Sequence, residues 1–193
     1  MLYHLAKYLV AILFYPLYRI KVSGKHNIPK KGPVIICTNH TSNLDPPVVG
    51  ITAPRTVYFM AKEELFEGKI FGGLLRRIHA FPVKRGLADR NALRSGLKFL
   101  KEGETLGLFP EGTRSKDGKP GKALPGVGFF ALRSQADVVP CVIISEYKLF
   151  RRTKVVYGKP MDIESFRKNK ASAKEMSEGI MEEIRNLYEI HKN

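Results

Sequence analysis

Val34-Ile35-Ile36-Cys37-Thr38-Asn39-His40-Thr41-Ser42-Asn43-Leu44-Asp45-Pro46-Pro47 is an apolar run that stops in a polar turn and restarts at two prolines. The run from Val34 to Cys37 reads as a strand buried on both faces, as in the interior of a parallel sheet. Such a strand carries His40 and Asp45 to the end of the sheet. An imidazole takes a proton near neutral pH, and a carboxylate beside it fixes the tautomer and stabilises the imidazolium that forms. Neighbours on one helix face lie three or four positions apart, so residues 40 and 45 meet only if the chain turns between them. Thr41-Ser42-Asn43 is suitable turn material. A purely structural reading stands beside this one. Asp45 before Pro46 also fits a helix N-cap followed by a first-turn proline, with His40 as a hydrogen-bonded strand-end histidine.

The pattern repeats outward from this stretch. Thr56 to Met60, Phe81 to Val83, Thr105 to Phe109, Val138 to Ile144 and Thr153 to Tyr157 read as further short apolar strands, with Ile20 to Ser23 before them. Helical segments alternate with them: Pro46 to Ile51, a helix capped by Asp89 and stopped at Gly103, Gly126 to Gln135, and an amphipathic tail from Ala171 to His191. Lys69 to His79 reads as an amphipathic but glycine-interrupted, irregular piece, and Lys116 to Pro125 as a basic loop. The expected fold is α/β: one domain with a mixed, mostly parallel sheet flanked by helices. Pro140, inside an apolar strand, should sit where no ladder hydrogen bond is needed.

Met1 to Tyr15 should be helical, and the charge-free run from Tyr8 to Tyr18 is shorter than the ~20 apolar residues of a membrane span. The segment has no small-residue cleavage site of a secretory signal. An apolar body with tyrosines at intervals, and Lys7, Arg19 and Lys21 near its ends, is the makeup of a helix lying in a bilayer interface. Residues 1–18 are therefore expected to dock on a membrane and residues 19–193 to form the catalytic domain. A helix packed on the domain's own core has the same pattern.

At 193 residues the chain suffices for one full core, and its formal charge of +15 favours anionic partners: nucleic acid, an acidic membrane surface, or phosphorylated and acidic carrier substrates. Cys37 and Cys141 lie in apolar runs and read as buried core thiols in a reducing compartment. The histidines have no zinc spacing, so no metal is expected. No Gly-x-Ser-x-Gly marks a hydrolase serine, no glycine fingerprint opens a dinucleotide-binding helix, and Gly112 to Pro120 departs from a phosphate loop in spacing and in its last residue.

Three predicted strands end in polar motifs: His40 and Asp45 after one, Lys84-Arg85 after another, and Glu111 to Arg114 after a third. Sites in open α/β sheets gather at strand ends. A base beside several cations implies a phosphorylated substrate with a proton to lose, with Lys62, Arg85 and Arg114 able to fix its phosphate. Each motif has a plainer reading: Phe109-Pro110-Glu111-Gly112 is also a good type I turn, and Lys84-Arg85 a solvated edge pair.

Taken together, these residues resemble the glycerolipid acyltransferase family, specifically the bacterial 1-acylglycerol-3-phosphate (lysophosphatidic acid) acyltransferases. Asn39-His40-x4-Asp45 resembles the first family motif, Phe109-Pro110-Glu111-Gly112-Thr113-Arg114 the third, and Val138-Val139-Pro140-Cys141-Val142 the apolar fourth. The second motif is kept loosely in His79 to Lys84 and firmly at Arg85, and Lys62-Glu63-Glu64-Leu65 is similar to a further element of bacterial members.

The resemblance implies transfer of an acyl chain from acyl-CoA or acyl-carrier protein to the 2-hydroxyl of 1-acylglycerol 3-phosphate, giving phosphatidic acid. It implies His40 as general base oriented by Asp45, with no covalent acyl-enzyme and no cofactor. Arg85, Lys62 and Arg114 would hold the acceptor phosphate, with Glu111, Gly112 and Thr113 in the acceptor-binding turn and Asn39 as the motif's neighbour. The implied partners are lysophosphatidic acid, an anionic bilayer surface and an acyl-carrier protein. The expected location is the cytoplasmic face of the cell membrane, with peripheral or monotopic attachment. Transfer to glycerol 3-phosphate or another lysophospholipid is the nearest alternative. A basic nucleic-acid-binding protein is the alternative from another class, for which no recognised motif appears and only weak, salt-sensitive binding is expected.

Overall fold

The computed structural model describes residues 2–84, 89–115 and 118–192. Strand β2 (Val34–Thr38), all five residues of it buried, lies at the centre of a seven-stranded sheet. The others are β1 (Lys21–Ser23), β3 (Val57–Lys62), β4 (Ala80–Val83), β5 (Thr105–Leu108), β6 (Asp137–Ile144) and β7 (Lys154–Tyr157), in the order β1-β7-β6-β2-β5-β3-β4. Strands β2 to β6 are parallel; β7 runs antiparallel to β6, and β1 runs parallel to β7. The expected single α/β domain with a mostly parallel sheet holds.

Successive side chains of a strand point to opposite faces, and β2 divides the core accordingly. Ile35 and Cys37 join Leu106, Leu108 and Val138 beneath α4 (Arg90–Lys101), α5 (Gly126–Arg133) and α7 (Ala173–His191). Val34 and Ile36 join Val139, Cys141 and Ile143 beneath α1 (Leu2–Leu17) and α2 (Asp45–Thr52). Each isoleucine so buried stabilises the fold by about 1.5–3 kcal/mol, which explains why both faces of this strand must be apolar. The thiols of Cys37 and Cys141 are free and fully buried, and burial pushes Cys141 up to about 12.

Local signals account for most element ends. Asp89 caps α4, its carboxylate accepting from the Asn91 and Ala92 N–H groups, and Gly103, at φ +82°, ends the turn that follows. Ser172 and Glu175 form a capping box on α7, whose Met176, Ile180 and Ile184 reach the core as their spacing predicts. Pro140 pairs with Cys37 in the ladder, and its carbonyl accepts from Gly158 N–H just beyond the end of the β6–β7 pairing. A strand residue's nitrogen and carbonyl point the same way, so the nitrogen that cannot donate faces the place where β7 has already ended.

Two segments differ from expectation. Within the segment read as irregular, Lys69–Arg77 form a regular helix, α3, because Gly72 lets it approach Phe66, where a Cβ would lie 2.5 Å from the Phe66 carbonyl oxygen; only Ile78 and His79 turn out of it. A short helix not foreseen, α6 (Ile163–Lys168), starts at an Asp162 cap and packs Ile163 into the core.

Gly107, on β5, is required by its neighbour. A Cβ there would sit 2.2 Å from Cε1 of Phe59, whose ring lies across the strand. Gly107→Ala should therefore destabilise the fold by roughly 1–3 kcal/mol, measured by urea unfolding. It should also disturb Phe109, which lies against the same Phe59 ring.

The N-terminal helix α1 packs Val10, Ala11 and Phe14 against the core, and the Tyr3 hydroxyl accepts from Val57 N–H at the start of β3. Lys7, expected as a flanking cation, turns inward and donates to the carbonyls of Ala53 and Arg55 at the end of α2. The opposite side of α1 is apolar too, with Leu5, Tyr8, Leu9, Ile12 and Leu13 exposed. Among the described residues, no helix is long and apolar enough to cross a membrane.

Candidate active site

The turn from Asn39 to Leu44 begins at a clamp. The Asn39 side chain donates to the Ile143 carbonyl (2.9 Å) and accepts from the Ile143 N–H (2.8 Å), so an amide continues the β2–β6 pairing for one more residue. Asn39 is fully buried and cannot exchange these bonds for water. Asn39→Ala should cost about 2–4 kcal/mol, since it leaves both Ile143 backbone groups without partners. A lowered urea midpoint with an unchanged slope would report it.

One residue on, His40 Nδ1 lies 2.9 Å from Asp45 Oδ2. Asp45 opens α2 yet does not serve as its N-cap, a position held by Leu44 with no side-chain cap bond. Its carboxylate turns back into the loop, where Oδ2 also accepts from the Thr41 and Ser42 N–H groups, each at 2.7 Å. The two prolines after it start the helix, which needs no donors there. The chain thus turns between the two residues as their spacing requires. With Nδ1 committed to a fully buried carboxylate, Nε2 is the ring nitrogen that can take a proton from a substrate.

The segment after β5 closes over this pair. Gly112 N–H donates to the Phe109 carbonyl across a tight turn in which Gly112 adopts φ +66°, so the predicted turn is present. The same turn presents Glu111, buried, whose Oε1 accepts from the His40 N–H at 3.4 Å. Burial pushes the Glu111 carboxyl up, opposed by hydrogen bonds from the Gly121 and His40 backbone. Phe109 stacks on the imidazole, centroids 4.1 Å apart and rings inclined by 26°. The ring of His40 is therefore fixed on one face by Phe109 and at one edge by Asp45.

Sequence reasoning passed over two residues of this site. Phe109 was legible as a motif position but not as the platform under His40. Tyr147, on the loop after β6, donates from its hydroxyl to Asp45 Oδ1 at 2.5 Å. The rule that sites gather at the ends of parallel strands also covers the end of β6, though nothing in the local sequence singles out Tyr147.

The cations sit at the same edge of the sheet. Lys62 ends β3 and Arg114 follows the Phe109 turn; both are exposed, as is Thr113, while Gly112 is half-buried. Strands β2, β5, β3 and β4 are successive neighbours, so the chain leaves all of them on the side where His40 lies. Lys84 forms an exposed pair with Glu63 at 3.6 Å. Arg85, expected to grip phosphate, lies outside the described residues.

Residues 19–144 match the family model described as Acyltransferase, and the chain belongs to that family. It is 32% identical over 176 residues to a 1-acyl-sn-glycerol-3-phosphate acyltransferase of Bacillus subtilis, with 87% of each chain covered. It is 30% identical over 167 residues to the Streptococcus pneumoniae protein of the same description, covering 82% of this chain and 61% of that one. The crystal structure of the 1-acyl-sn-glycerophosphate (LPA) acyltransferase PlsC from Thermotoga maritima superposes with a TM-score of 0.74 at 28% identity, over 99% of this chain and 78% of that one.

Proposed function

We propose that this acyltransferase moves an acyl chain from acyl-CoA or acyl-carrier protein to the 2-hydroxyl of 1-acylglycerol 3-phosphate, with His40 as general base. The observation that carries the reading is the His40–Asp45 contact, 2.9 Å long and shielded from water, beneath the Phe109 to Arg114 turn. The names of the similar bacterial proteins supply the acceptor. Nε2 takes the hydroxyl proton as the acceptor oxygen attacks the thioester carbonyl, and Asp45 stabilises the imidazolium. The tetrahedral adduct then collapses, the C–S bond breaks, and the proton passes from His40 to the departing thiolate. No acyl-enzyme forms and no cofactor takes part. Lys62, Arg85 and Arg114 hold the acceptor phosphate, and Glu111, Gly112 and Thr113 shape the turn against which the acceptor rests.

Residues 1–18 dock the domain formed by 19–193 on the cytoplasmic face of the membrane, where acceptor and product reside. The exposed apolar side of α1 supports this, as do the exposed Ile70, Phe71 and Leu74 of α3, which ends in Arg76-Arg77. Apolar surface flanked by cations suits an anionic bilayer.

Thiol release from palmitoyl-CoA by the purified protein in detergent, with and without 1-acylglycerol 3-phosphate, tests the reading. Release that requires the acceptor and yields phosphatidic acid is the expected result. Release at the same rate without acceptor would make the protein a thioesterase under these conditions and sink the proposal. Turnover with glycerol 3-phosphate but not with the lysophospholipid would replace the acceptor.

A further inference from the structure

We propose that Tyr147 is a positioning residue of the His40–Asp45 pair, holding the Asp45 carboxylate through the oxygen that the imidazole does not use and tying it to the end of α1. The inference rests on the general-base reading above and adds to it a residue outside the family motifs quoted.

The two oxygens of Asp45 have separate tasks. Oδ2 receives His40 Nδ1 and the Thr41 and Ser42 N–H groups, while Oδ1 receives the Tyr147 hydroxyl at 2.5 Å. Asp45 is fully buried, so without the phenol Oδ1 would lose its donor in a place water does not reach. A carboxylate bonded at one oxygen only can pivot about its Cβ–Cγ bond, and any pivot swings Oδ2 away from the imidazole. The phenol prevents that pivot. Burial, then the neighbouring Asp45 charge, push the Tyr147 hydroxyl well above its ordinary value, so it stays a donor across the working pH range.

The backbone is arranged to present this ring. Tyr147 adopts φ +49°, a left-handed conformation that costs a bulky residue about 1–2 kcal/mol and persists only where the surroundings enforce it. Here they do. The Tyr147 N–H donates to Ser145 Oγ (2.9 Å), and Ser145 Oγ pairs with Thr153 Oγ1 (2.7 Å) across the base of the loop. Phe150 N–H donates to the Leu17 carbonyl (2.6 Å) and Thr153 N–H to the Tyr18 carbonyl (2.9 Å). The Tyr18 ring packs edge-on against Tyr147, with centroids 5.7 Å apart. A continuous set of contacts therefore runs from the end of α1 through Tyr147 and Asp45 to His40.

Tyr147→Phe keeps the ring against Tyr18 and removes only the donor. It should lower kcat about tenfold, the loss expected for one hydrogen bond to a charged group, with KM for acceptor and acyl-CoA within about twofold of wild type. The downfield proton resonance of His40 Nδ1–H, identified by its disappearance in His40→Ala, should shift in Tyr147→Phe. Ser145→Ala removes the acceptor of the Tyr147 N–H and the tie to Thr153, so it should shift that resonance in the same direction by a smaller amount.

An unchanged kcat and an unmoved resonance in Tyr147→Phe, with His40→Ala inactive, would overturn the role of Tyr147 alone. A raised KM with kcat preserved would also overturn it, since that pattern marks a loop that shapes binding. Full turnover in His40→Ala would instead sink the general-base reading on which the inference rests.

Discussion

His40→Ala is expected to lower acceptor-dependent thiol release by ~10²- to 10⁴-fold, the range typical of general-base catalysis, with the loss in kcat and little change in KM for acyl-CoA. The magnitude follows from what remains when the imidazole is gone. The Thr41 and Ser42 N–H groups and the Tyr147 hydroxyl still satisfy Asp45, so the carboxylate stays in place and the loop keeps its shape. Phe109 loses its stacking partner, a modest cost of about 0.5–1.5 kcal/mol. The variant should therefore fold, bind both substrates and fail only at proton removal. A folded His40→Ala protein turning over within tenfold of wild type would remove the imidazole from the chemistry. It would leave Glu111, whose carboxylate accepts from the His40 backbone, as the next base to test.

What was legible in the sequence depended on how local the deciding physics is. The buried strand at Val34 to Thr38, the cap at Asp89 and the helical spacing of Met176, Ile180 and Ile184 are each set within a few residues, and all are present. The His40–Asp45 contact was legible because turn residues lie between them and both belong to one short stretch. Tyr147 lies 102 positions from Asp45, and its left-handed backbone depends on a loop stitched to the end of α1. No local pattern encodes such a contact. The regular helix at Lys69–Arg77 was missed for a related reason. Its glycines lower helix propensity, but Gly72 is what admits the helix against Phe66, so tertiary packing reversed the local preference.

The sheet order explains why distant motifs share one edge. Strand β2 lies between β5 and β6, so the Asn39 to Asp45 turn is flanked on one side by Phe109 to Arg114 and on the other by the loop that carries Tyr147. One residue at each flank touches His40 or its carboxylate partner: Phe109 stacks on the imidazole and Tyr147 binds Asp45. Asn39 fixes the root of the turn to β6, so His40 is supported by strands on both sides. Lys62 and Arg114, both exposed, follow β3 and β5 at the same edge.

The double variant Leu9→Asp/Ile12→Asp should weaken binding to vesicles containing anionic lipid by about a hundredfold, from lost apolar insertion and added repulsion at roughly 1 kcal/mol per charge. Leu9 and Ile12 are 60% and 75% exposed and lie on the side of α1 away from Val10, Ala11 and Phe14, which meet the core. The fold should therefore tolerate the change, and unfolding midpoints should stay near wild type. A helix apolar all round normally lies inside a protein, whereas this one leaves half its girth uncovered. Ile190→Asp is the matched control, an isoleucine 71% exposed near the end of α7, and it should bind vesicles as wild type does.

If α1 is the docking element, the double variant should also lose turnover on acceptor presented in vesicles but keep it on acceptor in detergent micelles, because the base and its partners are untouched. Equal vesicle binding by the double variant and wild type would move the docking surface off α1. Attention would then pass to α3, where Ile70 is 92% exposed beside Lys69 and Phe71. Loss of turnover in both vesicles and micelles would point to the other end of the same helix, because the Leu17 and Tyr18 carbonyls hold the loop that sets Tyr147 against Asp45.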